Sequence, residues 1–166
     1  MDPAQRPRKK PERRDRQIED TRHDPYRSTR KLPDFTLCRD CGLVYRDGRW
    51  QRLSEPWALD TALCPACART QDRYPAGYLR LSGSFFSEHR EEIQQLLANT
   101  ERRESEEHPL QRVMDRVEED DGALLITTTG THLASALATA LHRAYGGTMN
   151  LRYADQENLV RAAWSR

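Results

Sequence analysis

The feature that most limits what this chain can fold into is its set of cysteines. All four fall in two Cys-x2-Cys pairs, Cys38/Cys41 and Cys64/Cys67, set apart by residues 42–63. Two residues between thiolates let a tight turn place both sulfurs on one ion while backbone N–H groups of the turn donate to them. Two such knuckles complete a tetrahedral site. Pairing as disulfides is the alternative, and it needs an oxidising compartment. The basic start is not followed by an apolar segment of the signal-peptide kind, and no run approaches the roughly 18–20 apolar residues of a membrane span. The expectation is a soluble cytoplasmic protein, with no membrane partner, whose Cys38, Cys41, Cys64 and Cys67 bind a metal. A closed four-thiolate site leaves no position for water or substrate, so the metal is expected to be structural: Zn2+, with iron as the alternative.

The metal is also what the surrounding segment needs. Between Leu37 and Gly77 the apolar runs are short and three prolines (Pro56, Pro65, Pro75) intervene, too little core for a stretch of this size to fold unaided. Tyr45, Trp50 and Trp57 are the aromatic residues available to cover the site; Trp50 and Trp57 could alternatively stack on bases. Ahead of this segment the composition changes. The chain is 36% hydrophobic and 32% charged, against typical shares of about 45–50% and about 25%. Much of the deficit lies in residues 1–31, whose apolar side chains are Met1, Ala4, Ile18 and Tyr26. This reads as a disordered basic arm (1–31), followed by a zinc ribbon (32–77) and an α+β domain (78–166).

Charge is segregated in the same way. Residues 1–31 carry 11 Lys/Arg against 6 Asp/Glu, a net +5, whereas residues 88–121 carry 5 against 12, a net −7. Basic arms of this kind contact phosphates and respond to salt, so Arg8, Lys9, Lys10, Arg13 and Arg14 are candidate RNA-binding residues. The acidic stretch, centred on Glu101–Glu107, offers a different contact, with a basic protein partner.

In the third segment, Tyr78–Phe86 is expected to be a strand. Ser87 is expected to cap a helix with Glu88, Glu91 and Glu92 at its positive end and Ile93, Leu96 and Leu97 as its apolar stripe. A second helix is expected from Pro109 to Gly122, because Leu110, Val113, Met114 and Val117 recur at i, i+3, i+4 and i+7. Ala123–Thr129 suits a buried strand. Thr131 is expected to cap a third helix, with Leu133, Leu137, Ala140, Leu141 and Ala144 on one face, which stops at Gly146-Gly147. Thr148–Ala154 and Asn158–Trp164 alternate as a terminal hairpin. Its loop pairs Tyr153 with Val160, Leu151 with Ala162 and Met149 with Trp164. The same register sets Arg152 opposite Arg161, a like-charge pair that is mildly unfavourable unless an anion sits between. These two arginines therefore join the candidate RNA-binding set. The fold class is α+β: a four-cysteine zinc ribbon, then a small α/β sandwich with a terminal β-hairpin.

Catalytic signals are sparse. The turn Thr127–Thr131 before His132 lacks the second Gly and the Lys-Ser/Thr of a P-loop, leaving at most an anion site at a helix start. No acid lies within helical reach of His132. His89, His108 and His142 have no partner at metal or triad spacing, and no nucleophile motif is present.

Asp24-Pro25-Tyr26, the first knuckle with Gly48-Arg49-Trp50, and Cys64-Pro65-Ala66-Cys67 running into Asp72–Gly77 carry a resemblance. So do Glu107-His108-Pro109-Leu110, His132-Leu133-Ala134 and Val160-Arg161 to Trp164-x-Arg166. Over about residues 24–166 the chain resembles a family of small uncharacterised bacterial zinc-ribbon proteins. Its knuckles alone, Cys41–Tyr45 with Asp47-Gly48 and then Cys64-Pro65, are similar to those of zinc ribbons and rubredoxins, although Ala68 stands where rubredoxins have Gly. More distantly, knuckles followed by an α/β domain resemble the front half of the large-ribosomal-subunit nuclear export adaptor family, whose members carry four Cys pairs where this chain has two. That likeness implies contact with ribosomal RNA or protein and no catalytic residue. The function expected is a non-catalytic, zinc-stabilised adaptor binding structured RNA, ribosome-associated. The alternative is a protein-interaction or regulatory module docking through the acidic helical segment.

Overall fold

The structure, a computed structural model, describes residues 24–26, 31–54, 57–154 and 157–166. Arg8, Lys9, Lys10, Arg13 and Arg14 lie outside the described residues. Among those described, four helices and two mixed sheets make an α+β architecture.

The smaller sheet contains β1 (Thr36–Cys38), β2 (Val44–Arg46), β3 (Arg49–Gln51) and β4 (Asp60–Ala62). Its order is β3-β2-β1-β4, with β1 parallel to β4 and the other pairs antiparallel. Helix α1 (Pro65–Asp72) follows at once, with Pro65 in its first turn, where a missing N–H costs nothing.

The larger sheet comprises β5 (Gly77–Ser82), β6 (Val113–Glu118), β7 (Leu124–Thr128), β8 (Thr148–Tyr153) and β9 (Val160–Ser165), in the order β6-β7-β5-β9-β8. Only the β5–β9 pair is parallel. Helices α2 (Ser84–Glu88), α3 (Arg90–Glu107) and α4 (Thr131–Tyr145) complete this part. Leu79 and Leu81 of β5, Ile126 of β7 and Trp164 of β9 pack against Phe86, Ile93, Leu97, Leu133, Leu137 and Leu141 from the helices, forming one core. Each such side chain contributes about 1.5–3 kcal/mol on burial. Because strand side chains alternate, Tyr78, Arg80, Arg161 and Arg152 belong to the opposite sheet face.

The terminal hairpin has the expected register, Tyr153 with Val160, Leu151 with Ala162, Met149 with Trp164 and Arg152 with Arg161. Strand β7 and helix α4 also form where expected. The buried face of α4 is Leu133, Ala134, Leu137, Ala138 and Leu141, while Ala144 is exposed. The small Ala134 and Ala138, in place of Ala140 and Ala144, let the helix sit close on the sheet.

Three expectations are corrected. Residues 109–122 are not a helix: α3 runs to Glu107, Pro109 follows its end, and Val113–Glu118 is strand β6, paired with β7. The residue before a proline disfavours helical backbone, so Pro109 ends one helix rather than starting another. Leu110 packs on the ribbon, Val113 on the larger core, and Val117 is 48% exposed, so the residues of the apparent stripe never share one face. The strand expected over Tyr78–Phe86 stops at Ser82, because Gly83 (φ 105°) turns the chain. A Cβ at Gly83 would sit on the Arg166 carbonyl oxygen. Phe85 and Phe86 thus fall in α2, and the long helix starts after His89 rather than at Ser87.

Candidate metal centre

The four Cys Sγ atoms lie within 4.8 Å of one another. Cys38 ends β1, and Cys41 lies within the turn closed by Gly42 N–H donating to Cys38 O (3.0 Å). Cys64 is the N-cap of α1 and Cys67 lies in its first turn. The knuckle amides point at sulfur as the spacing requires, Cys64 N–H donating to Cys38 Sγ (3.3 Å) and Cys67 N–H to Cys64 Sγ (3.5 Å). All four cysteines are free. A tetrahedral ion with metal–sulfur bonds of about 2.3 Å places its sulfurs about 3.8 Å apart, and Cys41 Sγ lies 3.7 Å from Cys64 Sγ. The donor set fits a metal ion of the zinc type.

The sulfurs differ in electrostatics. Burial raises the Cys38 thiol, but the N–H groups of Cys64, Asp40 and Cys41 outweigh it and bring its pKa down to about 7. Burial pushes the Cys64 and Cys67 thiols up. Leu43, Trp50 and Ala66 are buried around the site, with Leu32, Tyr45, Leu63 and Leu110 packed against them. Trp50 and Tyr45 meet edge to face (5.6 Å). Trp57 does not join this cover: it stacks on Phe35 at 4.2 Å and is 54% exposed.

Residue spacing gave no sign of Arg112. From the connection between α3 and β6 its guanidinium donates to Cys41 Sγ (3.3 Å), Cys64 Sγ (3.5 Å) and Cys67 Sγ (3.6 Å). Burial disfavours its charge, but the sulfurs of Cys41 and Cys67 outweigh this and raise its pKa further.

A second fastening involves Asp24–Tyr26, which composition groups with the arm. Asp24 pairs with the buried Arg69 of α1 and accepts from Asn158 Nδ2 (3.0 Å). Tyr26 OH donates to Asp72 Oδ2 (2.6 Å) while its ring lies 4.5 Å from the Arg69 guanidinium.

The candidate RNA-binding arginines of the hairpin stand opposite each other, as their register requires. Arg161 lies 4.9 Å over the Tyr78 ring. A cavity of about 230 Å³ beside it is lined by Arg69, Arg73, Tyr74 and Glu157. Among the described residues, Arg73, Arg152 and Arg161 have no carboxylate within ion-pair distance, whereas Arg80 is held by Glu119 and Asp121.

His132 has an acid partner after all: its Nε2 lies 2.9 Å from Glu104 Oε2 of α3, and its ring meets that of His108 edge to face (5.7 Å). Arg49, Trp50, His108, Leu110, Gln111 and His132 line a cleft of about 660 Å³ between the ribbon and the helices, along with Gly48, Glu107 and Pro109. None of these lining residues is a Ser, Thr or Cys. The threonine turn is consumed by the fold, Thr128 Oγ1 donating to Gly130 O (2.8 Å) and Thr129 Oγ1 to Leu110 O (2.6 Å). Gln111 Oε1 accepts from Leu133 N–H in the first turn of α4 (3.1 Å) and occupies the place an anion would take. A Cβ at Gly130 would collide with the Gln111 amide.

Five carboxylates of the acidic segment are paired internally: Glu101 with Arg116, Glu104 with His132, Glu118 with Arg90, and Glu119 and Asp121 with Arg80. Among the described residues no helix is long and apolar enough to cross a membrane. No protein-family model, no curated protein and no solved structure matches the chain, so the reading of its site rests on this geometry.

Proposed function

We propose that this protein is a non-catalytic adaptor for structured RNA, ribosome-associated and cytoplasmic, whose four cysteines hold a structural Zn2+. Zinc is preferred to iron because a closed, fully thiolate site needs no redox chemistry to justify it, and because Ala68 breaks the rubredoxin-like knuckle. Bound there, zinc would supply folding free energy to the ribbon; Cys38, Cys41, Cys64 and Cys67 would be its ligands.

The observation that carries the RNA reading is the outward pair Arg152–Arg161 beside Tyr78, with no carboxylate of the described residues within ion-pair distance of either arginine. Two facing guanidinium groups next to an aromatic ring suit a phosphate backbone with a base stacked alongside. Arg73 extends the cationic surface, and the arm residues Arg8, Lys9, Lys10, Arg13 and Arg14 would add sequence-independent attraction. Docking through the acidic segment is less favoured, since several of its carboxylates already have cationic partners within the chain.

The test is RNA binding by Arg152→Gln/Arg161→Gln, measured with a structured ribosomal RNA fragment across a salt series. The expected result is weaker binding and a log-affinity-versus-log-salt slope reduced by about two, with the fold retained. Unchanged affinity at matched salt would remove the sheet face from the RNA site.

A further inference from the structure

Arg112 belongs to the connection between α3 and β6, yet its guanidinium is directed at the ribbon's sulfurs. Its Nε donates to Pro109 O within its own loop (3.0 Å), which sets the plane of the group. The two terminal nitrogens then reach Cys41, Cys64 and Cys67 at 3.3–3.6 Å. Among the described residues no carboxylate pairs with it. A partly buried guanidinium without a carboxylate needs negative charge from elsewhere. Four thiolates on a divalent ion carry a net −2.

We propose that Arg112 is a positioning residue of the metal centre, contributed from outside the ribbon, that orients three of the four thiolates and halves the charge of the loaded site. The proposal rests on the reading that the four cysteines hold a metal. Groups that hydrogen-bond to metal ligands fix ligand orientation, and losing one typically costs about 10–100-fold in metal affinity.

The position of Arg112 extends the effect beyond the sulfurs. Its backbone N–H donates to Thr129 Oγ1 (2.9 Å), Leu110 packs on the ribbon, and Gln111 caps α4. The short run 110–112 is therefore fixed to the metal site on one side and to the larger sheet and α4 on the other. Metal loading and the seating of this loop are one linked equilibrium, and linkage makes the effect reciprocal.

The experiment loads the full chain with Co2+ as a spectroscopic probe and compares wild type with Arg112→Gln and Arg112→Lys. Affinity is read by competition with a chromophoric chelator, and sulfur bonding by the thiolate-to-cobalt charge-transfer bands. Removing donors from the thiolates raises the energy of their electrons, so these bands should move to lower energy in Arg112→Gln, with affinity down about 10–100-fold. Lysine keeps the charge but not the planar fork, so it should fall between; if the glutamine variant does not fold, the same two readouts on lysine decide. The proposal requires both the loss and the band shift. Unchanged affinity overturns it, and lost affinity with unmoved bands makes Arg112 a packing residue and overturns it equally. Failure of the wild type to take up cobalt or zinc would instead defeat the metal reading itself.

Discussion

The ribbon and the larger α+β part reach order by different physical routes. In the α+β part, thirteen buried residues from three strands and three helices form one apolar core. In the ribbon, three of the six buried residues in the corresponding cluster are themselves cysteines. One part is held by apolar area removed from water, and the other, on the proposed reading, by four sulfurs converging on a metal ion. The comparison teaches that two sheets of similar strand count can differ entirely in what would unfold them.

The largest expected effect breaks this comparison directly. Chelation, or Cys64→Ser, should remove on the order of 10 kcal/mol of folding free energy from the ribbon. Circular dichroism should still show the helical signal of α3 and α4, which lie in the other core. Loss of all helical signal on chelation would show that the two parts do not fold separately.

Leu137→Ala should have the converse effect. Leu137 is fully buried in the larger core, and truncating it should cost about 2–5 kcal/mol. Thermal unfolding should shift to lower temperature while metal content per folded molecule is unchanged.

Asp24→Asn sharpens the comparison at the seam, because it weakens a charged hydrogen bond to Arg69, whose side chain is 3% exposed. The expected cost is about 1.5–3 kcal/mol, read by denaturant unfolding. An effect below about 0.5 kcal/mol would mean that the charge of Asp24 on Arg69 adds nothing to stability. The smallest effect is expected at His132→Gln. This exposed side chain pairs with Glu104 at the surface, and its loss should stay within about 0.5 kcal/mol, with RNA binding unchanged.

Legibility in the sequence followed the range of the interaction. The terminal hairpin was readable because a period-2 pattern and a short loop fix each other, so Tyr153 could only face Val160 with its apolar neighbours on one side. The cysteine cluster was readable because each knuckle is local. Residues 110–117 misled because apolar spacing at i, i+3, i+4 and i+7 also arises by coincidence, here from Leu110 in a loop packed on the ribbon, Val113 of β6 packed on the larger core and Val117 of β6 facing outward. Glu104 meets His132 and Arg112 meets Cys41 only through tertiary packing, across 28 and 71 positions. No pattern in the chain announces either contact.

The parallel pairing of β5 with β9 also has a consequence in time. These strands are neighbours at the middle of the sheet, yet about 80 residues separate them in the chain. At roughly 5–20 residues per second, a ribosome needs several seconds between releasing the first and the second. During that interval β5 can pair only with β7, leaving one hydrogen-bonding edge and the apolar Leu79 and Leu81 without their final neighbours. The ribbon, whose last cysteine is residue 67, has its full set of metal-binding thiols synthesised long before the sheet beside it can close.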